Sequence, residues 1–457
     1  WELTKTLGID MMDAVGTNVR IDSRGRQVLR VLPRVNDDVN EEWASDKTRH
    51  HVDGLVRRRL DRPYIRKGGQ LVEATWAEAF DAIKAAKAGK SVAAIAGDLV
   101  DCETMFAAKA LVNALGSTLL EGRQTGLDYD VTSLSAVNFN TTIAEAENAD
   151  VILLIGTNLR WEAPLINTRI RKAAWKKGAK VFAIGPEKDQ TYKVTWLGDD
   201  ASLVAKLPAA ALDALKGAER PLIILGGGGL AVPGVHGAAL ALAKSVNAVK
   251  DGWNGFSVVH MAASRMGGLM LGYAQPGGIK DIVAAKPKLA FFLGADEVDF
   301  TAFDKTLKVY VGHHGDKGAH AADVILPAAA WTEKDFTTVN TEGRVQRSEK
   351  AVFAPGDARE DWSIFRALAD ALGVSVGFDS FDQCRAAMIA AVPALGTEGL
   401  AGYGWSVPKL DAKPAKGPIP SPIKDFYLTN AICRASPTMQ RCSEELVHGA
   451  DFAEAAE

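Results

Sequence analysis

The sequence predicts an α/β protein in which doubly wound parallel sheets form two domains, preceded by a small β-rich N-terminal segment. Continuous apolar runs alternate with helical patterns over roughly 250 residues, which is typical of strands and helices in βαβ order. Several runs end in glycine, as parallel strands buried on both faces often do before a tight turn. The earliest residues instead alternate apolar and polar side chains, which favours half-buried antiparallel strands.

The N-terminal segment predicts a β-hairpin followed by a basic run. The stretch NVRIDSRGRQVLRVLPR alternates apolar and polar residues on both sides of residues 23–26, where we place the turn. The basic run extends from Lys47 to Lys67. Such a patch can bind phosphate, but a solvated face, or ion pairs with acids of a neighbouring subunit, explains it better.

From Thr75 onward the pattern becomes one of helices and buried strands. Thr75 and Glu78 have the spacing of a capping box, and Gly89 is placed to end that helix. Strands are predicted at SVAAIAG, ADVILLIG, KVFAIG, PLIILGGGG and KLAFFLGAD. We divide the chain into a β-rich segment (1–70), two α/β domains (71–220 and 221–375), and a C-terminal helical segment with an extended tail (376–457).

Composition and charge argue against several functional classes. The 457 residues are 47% hydrophobic and 24% charged, and the formal net charge of −3 gives no general argument for binding nucleic acid or an anionic membrane. No apolar run approaches the roughly 20 residues that a membrane helix needs. Because the chain opens on Trp1 without an initiator methionine or a signal-peptide pattern, we expect it to be the C-terminal part of a longer polypeptide.

The cysteines and histidines do not predict a metal site. Cys102, Cys384, Cys433 and Cys442 form no C-x-x-C pair, so we interpret them as reduced structural thiols. The dipeptide His313-His314 in GHHGD points its side chains in different directions and has no further ligand nearby in the sequence, which favours a polar loop. We predict no catalytic residue and no metal ligand in this chain.

Two glycine-containing loops are the candidate ligand site. Gly156 and Asn158 follow one strand, and Gly226 and Gly228 follow another, so their backbone N–H groups are candidates for holding phosphate. Gly226, Gly228 and Ala231 have the spacing of a dinucleotide fingerprint, but Pro233 and Gly234 disturb the start of the next helix. A tight strand-to-helix turn explains the glycines at least as well, so these four residues are relict phosphate-loop candidates.

Long blocks of the sequence resemble one family. The blocks are DAVGTNVRIDSRGRQVLRVLPR, FNTTIAEAENADVILLIGTNLRWEAPLINTRIRKA, GHHGDKGAHAADVILPAAAWTEKDFTTVNTEGRVQRSEKAVFAPGDAREDW and DFYLTNAICRASPTMQRCSEEL. They are similar to the molybdopterin-oxidoreductase-like region of the large iron–sulfur subunit of respiratory complex I, the proton-pumping NADH:quinone oxidoreductase. The resemblance covers nearly the whole chain in the same order, and it implies a molybdopterin-oxidoreductase-like fold.

The resemblance also implies a structural role. Members of the wider superfamily carry a cysteine-bound cluster near the start, whereas the first hundred residues here contain no cysteine. We therefore expect no cofactor in this chain, and we expect the 2Fe–2S and 4Fe–4S clusters of the full-length subunit to lie in an N-terminal part absent here. The implied partners are other peripheral-arm subunits of complex I, without nucleic acid. The implied location is the cytoplasmic side of a bacterial inner membrane, or the matrix side if mitochondrial, with membrane contact only through the complex.

The stretch DVILPAAAWTEKDFTTVNTEGRVQ (323–346) begins with a short apolar strand and continues into a polar run around Asn-Thr-Glu-Gly-Arg. Relatives with a cofactor use this block to wrap the pterin, but Glu333, Asp335, Glu342 and Arg344 have no evident nucleophile or metal to work with. We interpret them as loop caps and ion pairs. Two alternatives remain open: a molybdenum or tungsten oxidoreductase fragment that keeps its pterin, and a relict guanine-nucleotide site at the glycine loops.

The prolines in the C-terminal tail predict an extended conformation. The five prolines between residues 408 and 422 cannot lie inside a helix or a central strand, so an extended tether is expected. It would place Phe426, Tyr427 and Leu428 as an apolar anchor on this chain or on a neighbour. For residues 450–457, a flexible chain end is a better prediction than an anchored segment.

Overall fold

The computed structural model describes residues 2–127 and 129–449. The expected end at 450–457 lies outside the described residues. Over the described ranges, the strands in chain order are β1 (Thr4–Ile9), β2 (Asn18–Arg24), β3 (Gln27–Pro33), β4 (Tyr64–Lys67), β5 (Gln70–Glu73), β6 (Val92–Ala96), β7 (Leu119–Glu121), β8 (Val151–Ile155), β9 (Lys180–Ile184), β10 (Thr195–Trp196), β11 (Pro221–Leu225), β12 (Val249–Lys250), β13 (Trp253–Asn254), β14 (Phe256–Val258), β15 (Leu289–Leu293), β16 (Leu307–Gly312), β17 (Val324–Pro327), β18 (Phe336–Val339), β19 (Arg344–Ser348) and β20 (Gly399–Leu400).

Helices fill most of the connections between these strands. In chain order they are α1 (Asp46–His50), α2 (Trp76–Ala85), α3 (Cys102–Ala114), α4 (Leu159–Glu162), α5 (Pro164–Lys176), α6 (Ala209–Gly217), α7 (Gly227–Leu230), α8 (Val235–Ser245), α9 (Arg265–Leu271), α10 (Ile279–Ala285), α11 (Lys317–Ala321), α12 (Asp361–Leu372), α13 (Phe381–Ala391), α14 (Ala431–Ala435) and α15 (Pro437–Cys442). Short 3₁₀ turns include His51–Val56, which joins α1 to the following loop. None of the described helices combines the length and apolar character needed to cross a bilayer.

Two parallel sheets form the centre of the fold, as predicted. A five-stranded sheet has the order β10-β9-β8-β11-β14, with every neighbouring pair parallel. A seven-stranded sheet has the order β5-β4-β17-β16-β15-β6-β7, in which the β4–β5 hairpin is an antiparallel edge. Strands β6, β8, β11 and β15 are buried along their whole length, which explains their continuous apolar sequences.

The two sheets do not divide the chain at residue 220. The seven-stranded sheet takes β6 from the predicted domain 71–220 and β15 from the predicted domain 221–375, and the five-stranded sheet takes β8 and β11 from the same two ranges. Parallel pairing joins strands that are distant in the chain, which sequence pattern alone does not reveal. The division into domains therefore stays a prediction.

Local signals place several element ends correctly. The hairpin turn lies between β2 and β3, with Gly25 in the left-handed region at φ 61°. Thr75 and Glu78 form the predicted capping box. Helix α2 ends at Ala85 rather than close to Gly89, because Lys87 already adopts a left-handed φ of 45° and its N–H returns to the Lys84 carbonyl.

The N-terminal sheet and the C-terminal helices share one apolar core. The sheet has the order β1-β2-β3; its strand β3 contacts α1 and the 3₁₀ turn, and that turn contacts α14 and α15. Met12 and Leu55 of the N-terminal segment belong to the same buried cluster as Phe426, Tyr427 and Ile432 of the tail. The tail is extended through its proline-rich part, as predicted, and its aromatic anchor lies on this chain.

Candidate functional site at the carboxyl ends of the parallel strands

The predicted glycine loops lie side by side. Gly156 follows β8 and Gly226 follows β11, and these two strands are neighbours in the five-stranded sheet. The backbones are so close that a Cβ atom on Gly156 would be 2.1 Å from the Gly229 nitrogen. Gly228 donates its N–H to the Gly156 carbonyl at 2.9 Å, and Gly226 donates to the Ile155 carbonyl at 3.0 Å. These amides are therefore bonded to neighbouring backbone.

A carboxylate of the chain itself occupies the donors that remain. Glu162, at the end of α4, accepts hydrogen bonds from the Thr157 hydroxyl at 2.5 Å, the Asn158 N–H at 2.7 Å and the Gly227 N–H at 2.8 Å. Its side chain is fully buried, and burial raises the pKa of Glu162 to about 7 although these hydrogen bonds oppose the rise. Glu162 thus has the contacts that a bound phosphate would otherwise make, and sequence reasoning did not single it out.

The proline-rich tail lies directly over the same loops. A Cβ atom on Gly228 would be 2.3 Å from the Pro420 carbonyl oxygen, and one on Gly156 would be 2.8 Å from the Ile419 side chain. Ile419 donates its N–H to the Asp199 carbonyl at 2.8 Å, and Ala415 donates to the Pro233 carbonyl at 3.0 Å. Glycine at these positions allows close approach of the tail backbone.

Open volume remains beside the loops, between the carboxyl ends of both sheets. One cavity of about 280 Å³ is lined by charged residues of both signs, including Asp98, Glu297, Lys317 and Arg434. A second cavity of about 270 Å³ lies next to Gly227 and Gly228. Clefts at this edge of parallel sheets are where α/β proteins bind their ligands.

The block 323–346 is held by internal hydrogen bonds and ion pairs. Glu333 forms a bidentate ion pair with Arg59, with N···O distances of 2.5 and 2.6 Å. It also accepts a hydrogen bond from the Ala330 N–H at 2.9 Å. Glu342 accepts hydrogen bonds from the Ile143 N–H at 2.8 Å and the Arg344 guanidinium at 2.7 Å. Asp335 accepts the Lys350 N–H at 2.8 Å. These contacts support the interpretation of the four residues as caps and ion pairs.

Lys334 forms a buried charge cluster that the sequence did not indicate. Its ammonium lies 2.6 Å from Asp101 and 2.6 Å from Asp361. Burial alone would lower the pKa of Lys334, but the two carboxylates raise it above its usual value. The pKa of Asp361 is raised to about 6 by burial, despite the lysine. No local pattern could reveal this cluster, because its members belong to three separate elements.

The histidine pair lies in the loop after β16, where His314 is buried and His313 is half-buried. His314 is fully buried and hydrogen-bonds through Nε2 to the Gly54 carbonyl at 2.8 Å. Burial lowers the pKa of His314 to about 3, which keeps the ring neutral. The two histidines contact each other through their Nδ1 atoms at 2.5 Å. Across residues 2–127 and 129–449, no group of three or more histidine, cysteine or acidic side chains is arranged to hold a metal ion.

Comparison with known proteins identifies the class of this fold. The family model for molybdopterin oxidoreductases matches residues 59–371, which contain both parallel sheets. The model described as the NADH-ubiquinone oxidoreductase NDSU1/NuoG-like 4Fe-4S domain matches residues 3–53, and a model for the C-terminal region of the same NuoG subunit matches residues 406–442. The chain therefore has the molybdopterin-oxidoreductase fold, flanked by two regions found in NuoG.

Curated relatives agree along the whole chain. It is 41% identical to the NuoG subunit of the NADH-quinone oxidoreductase of Rickettsia felis, in an alignment that covers 97% of this chain and 67% of the relative. It is 40% identical to the mitochondrial NADH-ubiquinone oxidoreductase 78 kDa subunit of Neurospora crassa, with 97% and 63% covered, and 42% identical to that of Candida albicans, with 97% and 64% covered. The chain belongs to the NuoG family of NADH-quinone oxidoreductase subunits. It spans about two thirds of the length of these relatives.

The prediction of no cofactor in this chain was wrong, because the match at residues 3–53 places part of the 4Fe-4S domain here. Iron–sulfur binding is a property of a domain that this chain shares. Residues 3–53 contain no cysteine, and the nearby thiol of Cys433 is buried, which raises its pKa to about 11. A cluster needs thiolate ligands, so the described residues do not fit the cluster by themselves.

Proposed function

We propose that this chain is a structural part of the NuoG subunit of NADH:quinone oxidoreductase, which holds the iron–sulfur domain against neighbouring subunits of the complex. The proposal rests on one observation: the backbone donors of the glycine loops are already hydrogen-bonded within the chain, and the tail covers them. Glu162 uses their free donors, and Ile419 and Pro420 lie over them. The relict phosphate-loop candidates Gly156, Asn158, Gly226 and Gly228 then serve as close-packing positions, and catalysis belongs to the assembled complex.

The proposed partners are the other subunits of the peripheral arm, without nucleic acid. The proposed location is the cytoplasmic side of a bacterial inner membrane, or the matrix side in a mitochondrion, with membrane contact only through the complex. The names of the relatives and the shared 4Fe-4S and C-terminal regions support this placement.

Assembly of the complex tests the proposal. We expect Glu333→Ala in the full-length subunit to lower the amount of assembled complex on a native gel, while the NADH:quinone turnover of each assembled complex stays unchanged. The reason is that Arg59 would be left buried without its partner, which costs about 3–5 kcal/mol. Asp370→Asn is the matched control, because it breaks the Arg366–Asp370 pair on the surface. Full assembly with slow turnover would show that a working site remains in block 323–346.

Elemental analysis separates the proposal from the alternative of a molybdenum or tungsten oxidoreductase. We expect neither metal at a stoichiometric level in the purified protein, and a stoichiometric amount of either would overturn the structural role. Iron does not discriminate, because the 4Fe-4S domain extends into this chain. Release of a guanine nucleotide on denaturation would instead support a relict nucleotide site at the glycine loops.

A further inference from the structure

Arg265 is a buried cation that lines the cleft between the two parallel sheets. Its side chain is at the start of α9, and the residue is only 6% exposed. Within residues 2–127 and 129–449, its guanidinium forms no hydrogen bond and no salt bridge. A guanidinium stays charged at any ordinary pH, and a buried charge is costly unless it is paired. An arginine in this position therefore favours an anion within hydrogen-bonding distance of its guanidinium.

Arg265 lines the cavity of about 270 Å³ beside the glycine loops. The cavity lies between Asp98 and Thr125 on the side of the seven-stranded sheet and Gly228 and His260 on the side of the five-stranded sheet. Pro420 and Pro422 of the tail form another wall. Much of the remaining lining is apolar, from Leu127, Leu230, Val259 and Met261. A few polar groups in a mostly apolar cavity are typical of a small-molecule site.

The other titratable groups that line this cavity form no salt bridge with the arginine. Asp98 accepts a hydrogen bond from Gln124 at 2.7 Å; burial raises the pKa of Asp98, and the nearby charge of Arg265 opposes that rise. Burial lowers the pKa of His260 to about 3, so its ring is neutral, and its Nε2 lies 2.7 Å from the Val137 carbonyl. The ring of Tyr129 lies 5.9 Å from that of His260, and its buried hydroxyl has no hydrogen-bond partner among the described residues. Two polar groups beside the cavity, the guanidinium and this hydroxyl, are therefore without hydrogen-bonded partners in the described part of the chain.

We propose that this cavity binds a small oxyanion, a carboxylate or a phosphate group, through the Arg265 guanidinium. The planar fork of the guanidinium matches both groups with two parallel hydrogen bonds. The volume beyond Arg265 accommodates an apolar body attached to the anion. This site is separate from the amides at Gly226 and Gly227, and it goes beyond the structural role, so loss of binding would leave assembly of the complex unaffected.

Ligand-dependent thermal stability of the 457-residue chain tests the proposal. The probes are inorganic phosphate and benzoate, each titrated at constant ionic strength, because benzoate carries its carboxylate on an apolar ring. We expect a saturable rise of Tm with at least one probe, and the probe that acts identifies the anionic group. In Arg265→Gln we expect the half-saturating concentration to rise tenfold or more. Arg57→Gln is the matched control, because Arg57 is exposed and does not line the cavity.

A second variant keeps the test valid if Arg265→Gln does not fold. Ala231 lines the same cavity and is exposed, so Ala231→Trp blocks the opening without overpacking a buried position. We expect this variant to unfold at a Tm close to that of the wild type and to lose the response to the probe. The proposal is overturned by a wild type that shows no saturable response to either probe. It is also overturned by an unchanged half-saturating concentration in Arg265→Gln, or in Ala231→Trp.

Discussion

Buried carboxyl groups in this protein differ in how many of their oxygen atoms are hydrogen-bonded or ion-paired. Glu333 is fully engaged by Arg59, whereas Asp10 is fully buried and one of its carboxyl oxygens has no hydrogen-bond partner among the described residues. The other oxygen accepts the Thr48 hydroxyl at 2.8 Å. Burial, and then the nearby Asp13, raise the pKa of Asp10 to about 8. Asp10 is therefore a group that makes folding depend on pH.

The sign of that dependence follows from proton binding. Between the ordinary pKa of 3.8 and the raised value of about 8, Asp10 binds more protons in the folded chain than in the unfolded chain. The free energy of unfolding must therefore fall as pH rises through this range. We expect Asp10→Asn to remove this contribution, so that between about pH 5 and about pH 8 the wild type loses about 2–4 kcal/mol more than the variant does.

Urea unfolding at the two pH values measures this difference. Asp213→Asn is the control, because Asp213 is exposed on α6 and its replacement should leave the pH dependence of the wild type intact. Parallel stability curves for the wild type and Asp10→Asn would show that Asp10 is ionised at little cost in the folded chain.

At the scale of elements, the proline-rich tail packs closely against the glycine loops. Helix α7 begins at Gly227, and its first turn lies under the tail residues Ile419, Pro420 and Pro422. The φ angle of Gly228 does not itself require glycine, so the contact with the tail is what restricts this position. A side chain there must displace either the Pro420 carbonyl or the Gly156 carbonyl, and both belong to backbone.

We expect Gly228→Ala to loosen the tail and to lower the free energy of unfolding by about 1–3 kcal/mol, as overpacking does. The measurement is trypsin cleavage after Lys416, which is exposed and lies in the tail, combined with thermal unfolding. Gly217→Ala is the matched control, because a Cβ atom there meets no atom within 4 Å. Equal cleavage rates for the two variants would mean that the tail is not held by the glycine loop.

At the scale of the whole molecule, the C-terminal helices close the N-terminal core. Phe426 and Ile432 share a buried cluster with Met12 and Leu55, and a Cβ atom on Gly54 would be 2.2 Å from the Ile432 carbonyl oxygen. Lys47 lies 4.7 Å from the centre of the Phe426 ring. The chain thus joins the region matched by the 4Fe-4S domain model to its own C-terminal end.

We expect a chain that ends at Lys424 to keep both parallel sheets folded but to expose the N-terminal core and weaken assembly of the complex. Thermal unfolding monitored by circular dichroism, together with native gels of the complex, measures the two effects. A chain that ends at Gly449 is the control, because it retains α14 and α15. Normal levels of complex with the chain that ends at Lys424 would contradict a role of this region in assembly.

The chain alone should neither oxidise NADH nor reduce quinone. NADH oxidation needs a flavin beside the nicotinamide, and the glycine loops that come nearest to a nucleotide site are closed by Glu162 and the tail. The measurement is NADH absorbance with a soluble quinone, using the intact complex as the positive control. Steady NADH consumption by the chain, above that of a heat-denatured sample, would contradict the structural role.

Local sequence patterns were sufficient to predict the main strands, the cap of α2, the first hairpin turn and the family. The buried strands, the capping box at Thr75 and the hairpin turn at Gly25 depend on neighbouring residues, so their sequence patterns were sufficient to predict them. The long family blocks gave the class of fold, which the match at residues 59–371 confirms. The sequence also placed Gly156 and Gly226 directly after predicted strands, and those strands, β8 and β11, are parallel neighbours.

Only the tertiary structure decided which side chains bond to those loops and which distant segments of the chain contact each other. Glu162 bonds to Gly227 across 65 residues, and Arg59 bonds to Glu333 across 274. The tail is brought over Gly228, and Arg265 is buried beside the cavity. Such contacts depend on how strands distant in the chain pair within one sheet, and a local pattern carries no information about that pairing.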